Sequence, residues 1–166
     1  MNRLRIPTLA FLTIAVAISS ATAADMKVEA VLAPQEQIRL DFKDGTGHFV
    51  LMVRRQGAAT GSGPLAGTQV TEYGVHDITP GSGGDPRGYL VFAAPEGDTA
   101  YVKWAVRAVF VPGADGKPKL LDNGFWEVAG GTGRFAKLKG AGTLHIKPVS
   151  PTDRRFILDG EVASAP

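Results

Sequence analysis

The chain has 166 residues, 18 basic and 16 acidic side chains and no cysteine, which excludes disulfide staples and a cysteine-linked lipid anchor. Two of the arginines, Arg3 and Arg5, lie at the extreme N-terminus, so the chain beyond Ala23 carries 18 − 2 = 16 basic against 16 acidic groups. This neutral balance argues against a nucleic-acid partner, and the densest basic stretch, Arg134, Lys137 and Lys139 with Lys147 further on, reads as a solvated strand face.

Residues Met1 to Ala23 have the three parts of an export signal: a basic start, an apolar run from Leu9 to Ile18, and the small-residue site Ala21-Thr22-Ala23. The apolar run is about ten residues, half of the ~20 that span a bilayer, and Ser19, Ser20 and Thr22 follow it instead of a basic stop. A cleaved signal is therefore expected over an uncleaved anchor. The mature protein is expected to be periplasmic or secreted, a bacterial periplasm or exterior being a fitting compartment, with no membrane anchor after cleavage. The remaining 166 − 23 = 143 residues, 24–166, suit one domain that folds on apolar burial alone.

Asp25 to Leu40 is ambiguous between a short strand and an irregular lead-in. Thereafter short runs rich in β-branched and aromatic residues alternate with clusters drawn from 21 glycines and 11 prolines, the pattern of an all-β sandwich or barrel. Strands are expected over His48 to Arg55, Thr68 to Ile78, Gly88 to Ala93, Thr99 to Val111, Leu120 to Ala129, Gly142 to Lys147 and Arg154 to Val162. In Thr99 to Val111 the period of two is plain: Val102, Trp104, Val106, Ala108 and Phe110 share one face, and Tyr101, Lys103 and Arg107 the other. Pro112 to Lys119 supplies the turn of a hairpin. Gln56 to Gly67 and Thr79 to Arg87 read as Gly- and Pro-rich loops, either hairpin tips or a pocket rim. Phe49 to Val53 and Val106 to Val111 are apolar on both faces, which fits either a doubly covered sheet or a contact with another subunit.

The stretch Gly130-Gly131-Thr132-Gly133-Arg134-Phe135, followed by Gly140-Ala141-Gly142-Thr143, resembles the signature turn of the allene oxide cyclase and dirigent superfamily, Gly-Gly-(Ser/Thr)-Gly-x-Phe and then a Gly-x-Gly step. The resemblance implies a single antiparallel β-barrel of about eight strands with a tapered apolar interior, assembled into trimers in plant members. It carries no catalytic residue over, because the family's pocket lies outside this turn. The glycines themselves serve the turn, with Phe135 anchoring the returning chain, and a phosphate cradle would need a helix that the following glycines oppose.

Chemistry-bearing residues are sparse. His48, His76 and His145 stand in different strands without metal-ligand spacing, and no metal or cofactor is expected. Ser62 and Ser82 lack a nucleophile-elbow context. Glu72 and His76 are the candidate catalytic pair, because alternation puts them on one face of a strand with Val70, Gly74 and Ile78. The favoured register turns that face to solvent and sends Thr71, Tyr73 and Val75 inward; the other buries the pair in the barrel. Tyr73, Trp104 and Trp126 are the candidate ligand-binding side chains, the tryptophans also being ordinary core material. The leading expectation is a barrel that binds a small apolar or aromatic molecule in its interior. A cyclase or isomerase using the barrel interior, and a homo-oligomeric structural protein, dimer or trimer, are the alternatives.

Overall fold

The computed structural model describes residues 22–164; residues 1–21, most of the expected export signal, lie outside the described residues. Strand β1 (Ala24–Asp41) opens the fold, followed by β2 (Phe49–Ser62), β3 (Gln69–Thr79), the two-residue β4 (Gly83–Gly84) and β5 (Arg87–Ala93). Then come β6 (Thr99–Pro112), β7 (Pro118–Gly131), β8 (Leu138–Pro148) and β9 (Arg154–Ser164). All pairings are antiparallel, and the β2–β3 and β5–β6 contacts close the sheet into an eight-stranded barrel with β4 as an extra short strand. β4 sits between β3 and β6 like β5, separated from it by Asp85 and Pro86.

The ambiguous lead-in is thus the longest strand. Met26, Val28, Ala30 and Leu32 point inward, but a bulge between Pro34 and Glu36 inverts the alternation and turns Ile38 and Leu40 outward. Beyond Leu32 the strand has left β9 and keeps only β2 as its partner, so Pro34 interrupts no ladder on that side. The same long pairing carries β2 through Gly57 and Gly61 to Ser62, into a stretch expected to be loop.

Size complementarity fills the barrel. One inward layer runs across neighbouring strands as Gly74 and Gly88, then Trp104 and Trp126, then Gly142 and Gly160. Both indoles are buried, and the flanking glycines give them room: a Cβ on Gly160 would stand 2.8 Å from Trp126 Cζ2. At the end of the barrel that holds the β2–β3, β5–β6 and β7–β8 turns, Leu65, Phe92, Phe135 and Leu138 form an apolar plug.

The glycine-rich turn builds part of this plug. Gly133 has φ +48°, and a Cβ there would lie 1.8 Å from the carboxylate of Asp98, which accepts the Arg134 N–H at 2.9 Å. The Thr99 N–H donates to Thr132 Oγ1 at 2.9 Å, so the β5–β6 and β7–β8 turns clamp each other and hold Phe135 inside. Gly133→Ala is expected to destabilise the barrel by about 1–3 kcal/mol through backbone strain and the carboxylate clash. Urea titration checks this, with Gly130→Ala, which faces open space, as the near-neutral control.

Candidate functional site

The opposite end of the barrel, where the β1–β2, β3–β4, β6–β7 and β8–β9 connections lie, has a polar floor. Glu72 is fully buried and His76 is 7% exposed, whereas Tyr73 is 52% exposed. The favoured register of the sequence is therefore reversed: Val70, Glu72, Gly74, His76 and Ile78 line the interior, and Tyr73 stands outside. Tyr73 lies instead on an outer groove of about 690 Å³ with Ile38, Met52 and Val75.

Gly74 explains how Glu72 and His76 meet. Residues four apart on a strand are roughly 13 Å apart along the backbone, and the intervening side chain normally separates them. Here it is absent: a Cβ on Gly74 would fall 2.3 Å from Glu72 Oε1 and 2.9 Å from His76 Nε2. The two side chains fold over the bare backbone and come within 2.9 Å. Gly74→Ala is expected to part them at a cost of about 1–3 kcal/mol, read in a denaturant titration.

The neighbouring strand β2 contributes Arg55, which is 4% exposed and donates through Nη1 to Glu72 Oε2 at 2.7 Å. His76 Nε2 lies 3.2 Å from the same Nη1, and only one of its two contacts can be a hydrogen bond. Donation from Nε2–H to Glu72 leaves the carboxylate with a charge-assisted bond on each oxygen, and His76 then meets Arg55 only in contact. The His76 ring lies 5.8 Å from that of Trp104, which in turn packs edge-on against Phe156 at 5.7 Å.

From β7, Asp122 also points inward, across from Ala108 and Ile146. Burial pushes its carboxyl up to about 6, against the opposing pull of His76 and of Arg154 at the start of β9. Burial likewise holds the Arg154 guanidinium below its ordinary range, helped by the nearby Arg55, while its Nη1 donates to the carbonyls of Ser150 and Asp153. Three buried polar atoms of this floor have no partner among the described residues: Arg55 Nε, Trp104 Nε1 and Asp122 Oδ1.

A cavity of about 780 Å³ reaches this floor. Pairing of β7 with β8 stops at Asp122 and Ile146, and the β6–β7 hairpin and the end of β8 diverge from there. Leu120, Leu121, Ile146 and Pro148 give the cleft apolar walls, Lys117, Lys119 and Lys147 border it, and Asp122 lies at its inner end.

The candidates of the sequence are thus partly assembled. Glu72, His76 and Trp104 come together, while Trp126 packs one strand further on and donates to the Asp159 carbonyl at 3.3 Å. His48 pairs with Asp77 at 2.6 Å on the outside, and His145 meets Asn123. Arg55, Asp122 and Arg154 were not anticipated. Asp122 had a readable signal: it shares the inward face of β7 with Leu120, Gly124, Trp126 and Val128, a lone carboxyl in an apolar row.

No protein-family model matches the chain, and no curated protein matches it in sequence. Solved structures do. A pterocarpan synthase dirigent protein superposes with a TM-score of 0.53 at 10% identity, covering 94% of this chain and 98% of that one. A second pterocarpan synthase dirigent protein gives 0.51 at 11% identity, covering 87% and 97%. At such identity the likeness is one of architecture, and it agrees with the glycine-rich turn: the chain is a dirigent-like β-barrel.

Proposed function

We propose that this barrel binds a small, largely apolar or aromatic molecule at its open end, with a polar group of the ligand set on the floor made by Arg55, Trp104 and Asp122. One observation carries the reading: a buried acceptor without a partner, Asp122 Oδ1, lines a cleft with apolar walls, while two further buried donors without partners, Arg55 Nε and Trp104 Nε1, belong to the same polar cluster but not to the lining of the cleft. Each such group costs about 1–3 kcal/mol while unpaired, so a ligand that satisfies them recovers that cost beside the burial of its apolar body. The plug and the tryptophan layer fill the rest of the interior, which favours a ligand at the mouth over one deep in the barrel.

Trp104 makes the reading testable by its own fluorescence. Titration with a panel of phenols, aromatic acids and fatty acids is expected to give saturable changes in emission that a Trp104→Phe variant loses, with one-to-one complexes in native mass spectrometry. Absence of any saturable binding across the panel sinks the proposal. Asp122→Ala is expected to weaken binding at least tenfold, since it removes the orphaned acceptor.

A second reading, an enzyme of cyclase or isomerase type, is favoured by the Asp122 carboxyl at about 6, a value suited to passing a proton near neutrality. The two structural likenesses are themselves named synthases. On this reading Asp122, not Glu72, handles the proton, because Glu72 is fully buried and already held by Arg55 and His76. Asp122→Asn then abolishes turnover of a bound panel member while leaving its affinity within a few fold.

A further inference from the structure

Past Leu32, no strand among the described residues pairs with the outer edge of β1. That edge is unusually apolar for one in water: Ile38 is 68% exposed, Leu40 59% and Phe42 40%, all on the outward side. A free strand edge with exposed aliphatic side chains is a template for another strand. Its hydrogen-bonding groups can be assigned. The Phe42 N–H donates to the His48 carbonyl at 2.9 Å, so even-numbered residues here bond to β2 and the backbone groups of Gln37, Arg39 and Asp41 face outward, unpaired.

We propose that this edge is a homodimer interface, in which β1 pairs antiparallel with β1 of a second copy about a two-fold axis through Leu40. The sequence Ile38-Arg39-Leu40-Asp41-Phe42 complements itself when read against its own reverse. Ile38 then lies opposite the second copy's Phe42, Leu40 opposite Leu40, and Arg39 opposite the second copy's Asp41. The unpaired groups of Arg39 and Asp41 exchange about four backbone hydrogen bonds across the axis.

Charge selects this register. Sliding by one step in either direction sets Arg39 against Arg39 or Asp41 against Asp41, and like charges directly opposite one another are destabilising. Arg39 and Asp41 already lie together, with Nε donating to Oδ1 at 2.8 Å, so the dimer extends an existing ion pair into a ring of four alternating charges. On the apolar side, the second copy's Phe42 comes to the rim of the groove that Ile38 and Met52 line. The symmetry is closed, so such a pairing would consume the edge and not propagate into fibres.

Light scattering and sedimentation of the purified chain at micromolar concentration are expected to show a dimer; a monomer or a trimer overturns the proposal. Leu40→Lys sets two ammonium groups on the axis and is expected to weaken the dimer roughly a hundredfold, with unchanged circular dichroism because Leu40 is exposed. A dimer indifferent to it lies elsewhere on the surface and refutes this interface. Arg39→Asp is expected to weaken association, and adding Asp41→Arg to restore it by exchanging the charges; failure of the double variant to recover rejects the register. The chain has no cysteine, so Leu40→Cys gives a further reading. Residues facing each other across a non-hydrogen-bonded pair are close enough for a disulfide, and rapid oxidation to a covalent dimer is expected, with Val149→Cys, also well exposed, as the slow control.

Discussion

Replacing Asp122 with asparagine is expected to stabilise the barrel by as much as about 3 kcal/mol at pH 8 and to leave its stability nearly unchanged at pH 3. The carboxyl is raised from 3.8 to about 6 in the folded state, because burial disfavours the charged form more than His76 and Arg154 favour it. A raised carboxyl means that the folded chain binds the proton more tightly than the unfolded one. Stability is therefore greatest below the unfolded value, falls as pH rises from about 4 to about 6, and is level above that. Asparagine keeps the shape and removes the titration, so the variant's stability is flat across the window in which the parent declines. Thermal melts at pH 3, 5 and 8 measure this. Parallel curves for parent and variant would show that Asp122 is paired or solvated and does not carry a buried, unsatisfied oxygen. A group that lowers stability at neutral pH and opens on a cleft fits the binding role proposed for it.

β6 and β9 were legible because the alternation within each of them is uninterrupted. Val102, Trp104, Val106 and Ala108 are buried as their period requires, and Phe156, Leu158 and Val162 likewise. β1 was not legible, because one bulge between Pro34 and Glu36 moves the apolar set from even-inward to even-outward, and a single period of two fits neither half. The orientation of β3 turned on a subtler residue. Thr71, Tyr73 and Val75 make as good an inward face as Val70, Glu72 and His76 if hydropathy alone decides. Gly74 breaks the tie, since a glycine between a carboxylate and an imidazole is useful only if the two are to meet. Arg55 was hidden for a related reason: in Arg54-Arg55 one guanidinium must point inward, and only the partner strand tells which. Arg54 goes out to Glu36 at 2.7 Å, and Arg55 goes in to Glu72.

A dirigent-like barrel is a container whose interior a sequence can fill or leave open. Here paired tryptophans and the Leu65–Phe135 plug occupy the interior, and a cleft opens at the splayed ends of β7 and β8. The proposed chemistry accordingly rests on a few polar residues at one end, and none of them belongs to the glycine-rich turn that announces the fold.

Glu72→Leu is expected to be the most damaging single substitution on this floor, costing about 3–5 kcal/mol, because it leaves the Arg55 guanidinium buried without a counter-charge. Arg55 Nη1 loses its 2.7 Å bond to the carboxylate, and its Nε already has no partner, so the cation would be held by little more than His76. Removing both partners is a different experiment. Arg55→Met with Glu72→Leu deletes the pair together and fills its volume with apolar atoms, and such exchanges are commonly neutral or stabilising. The double variant is expected to recover most of the loss, which a double-mutant cycle in urea measures as a large coupling energy. A single variant as stable as the parent would mean that the pair is not closed off from water. The binding experiment gives the double variant its second use: the Arg55 Nε donor is gone from it, so a ligand held by the floor binds more weakly although the barrel is intact. Stability regained with affinity lost is the signature of a polar cluster that the fold tolerates for the sake of what it holds.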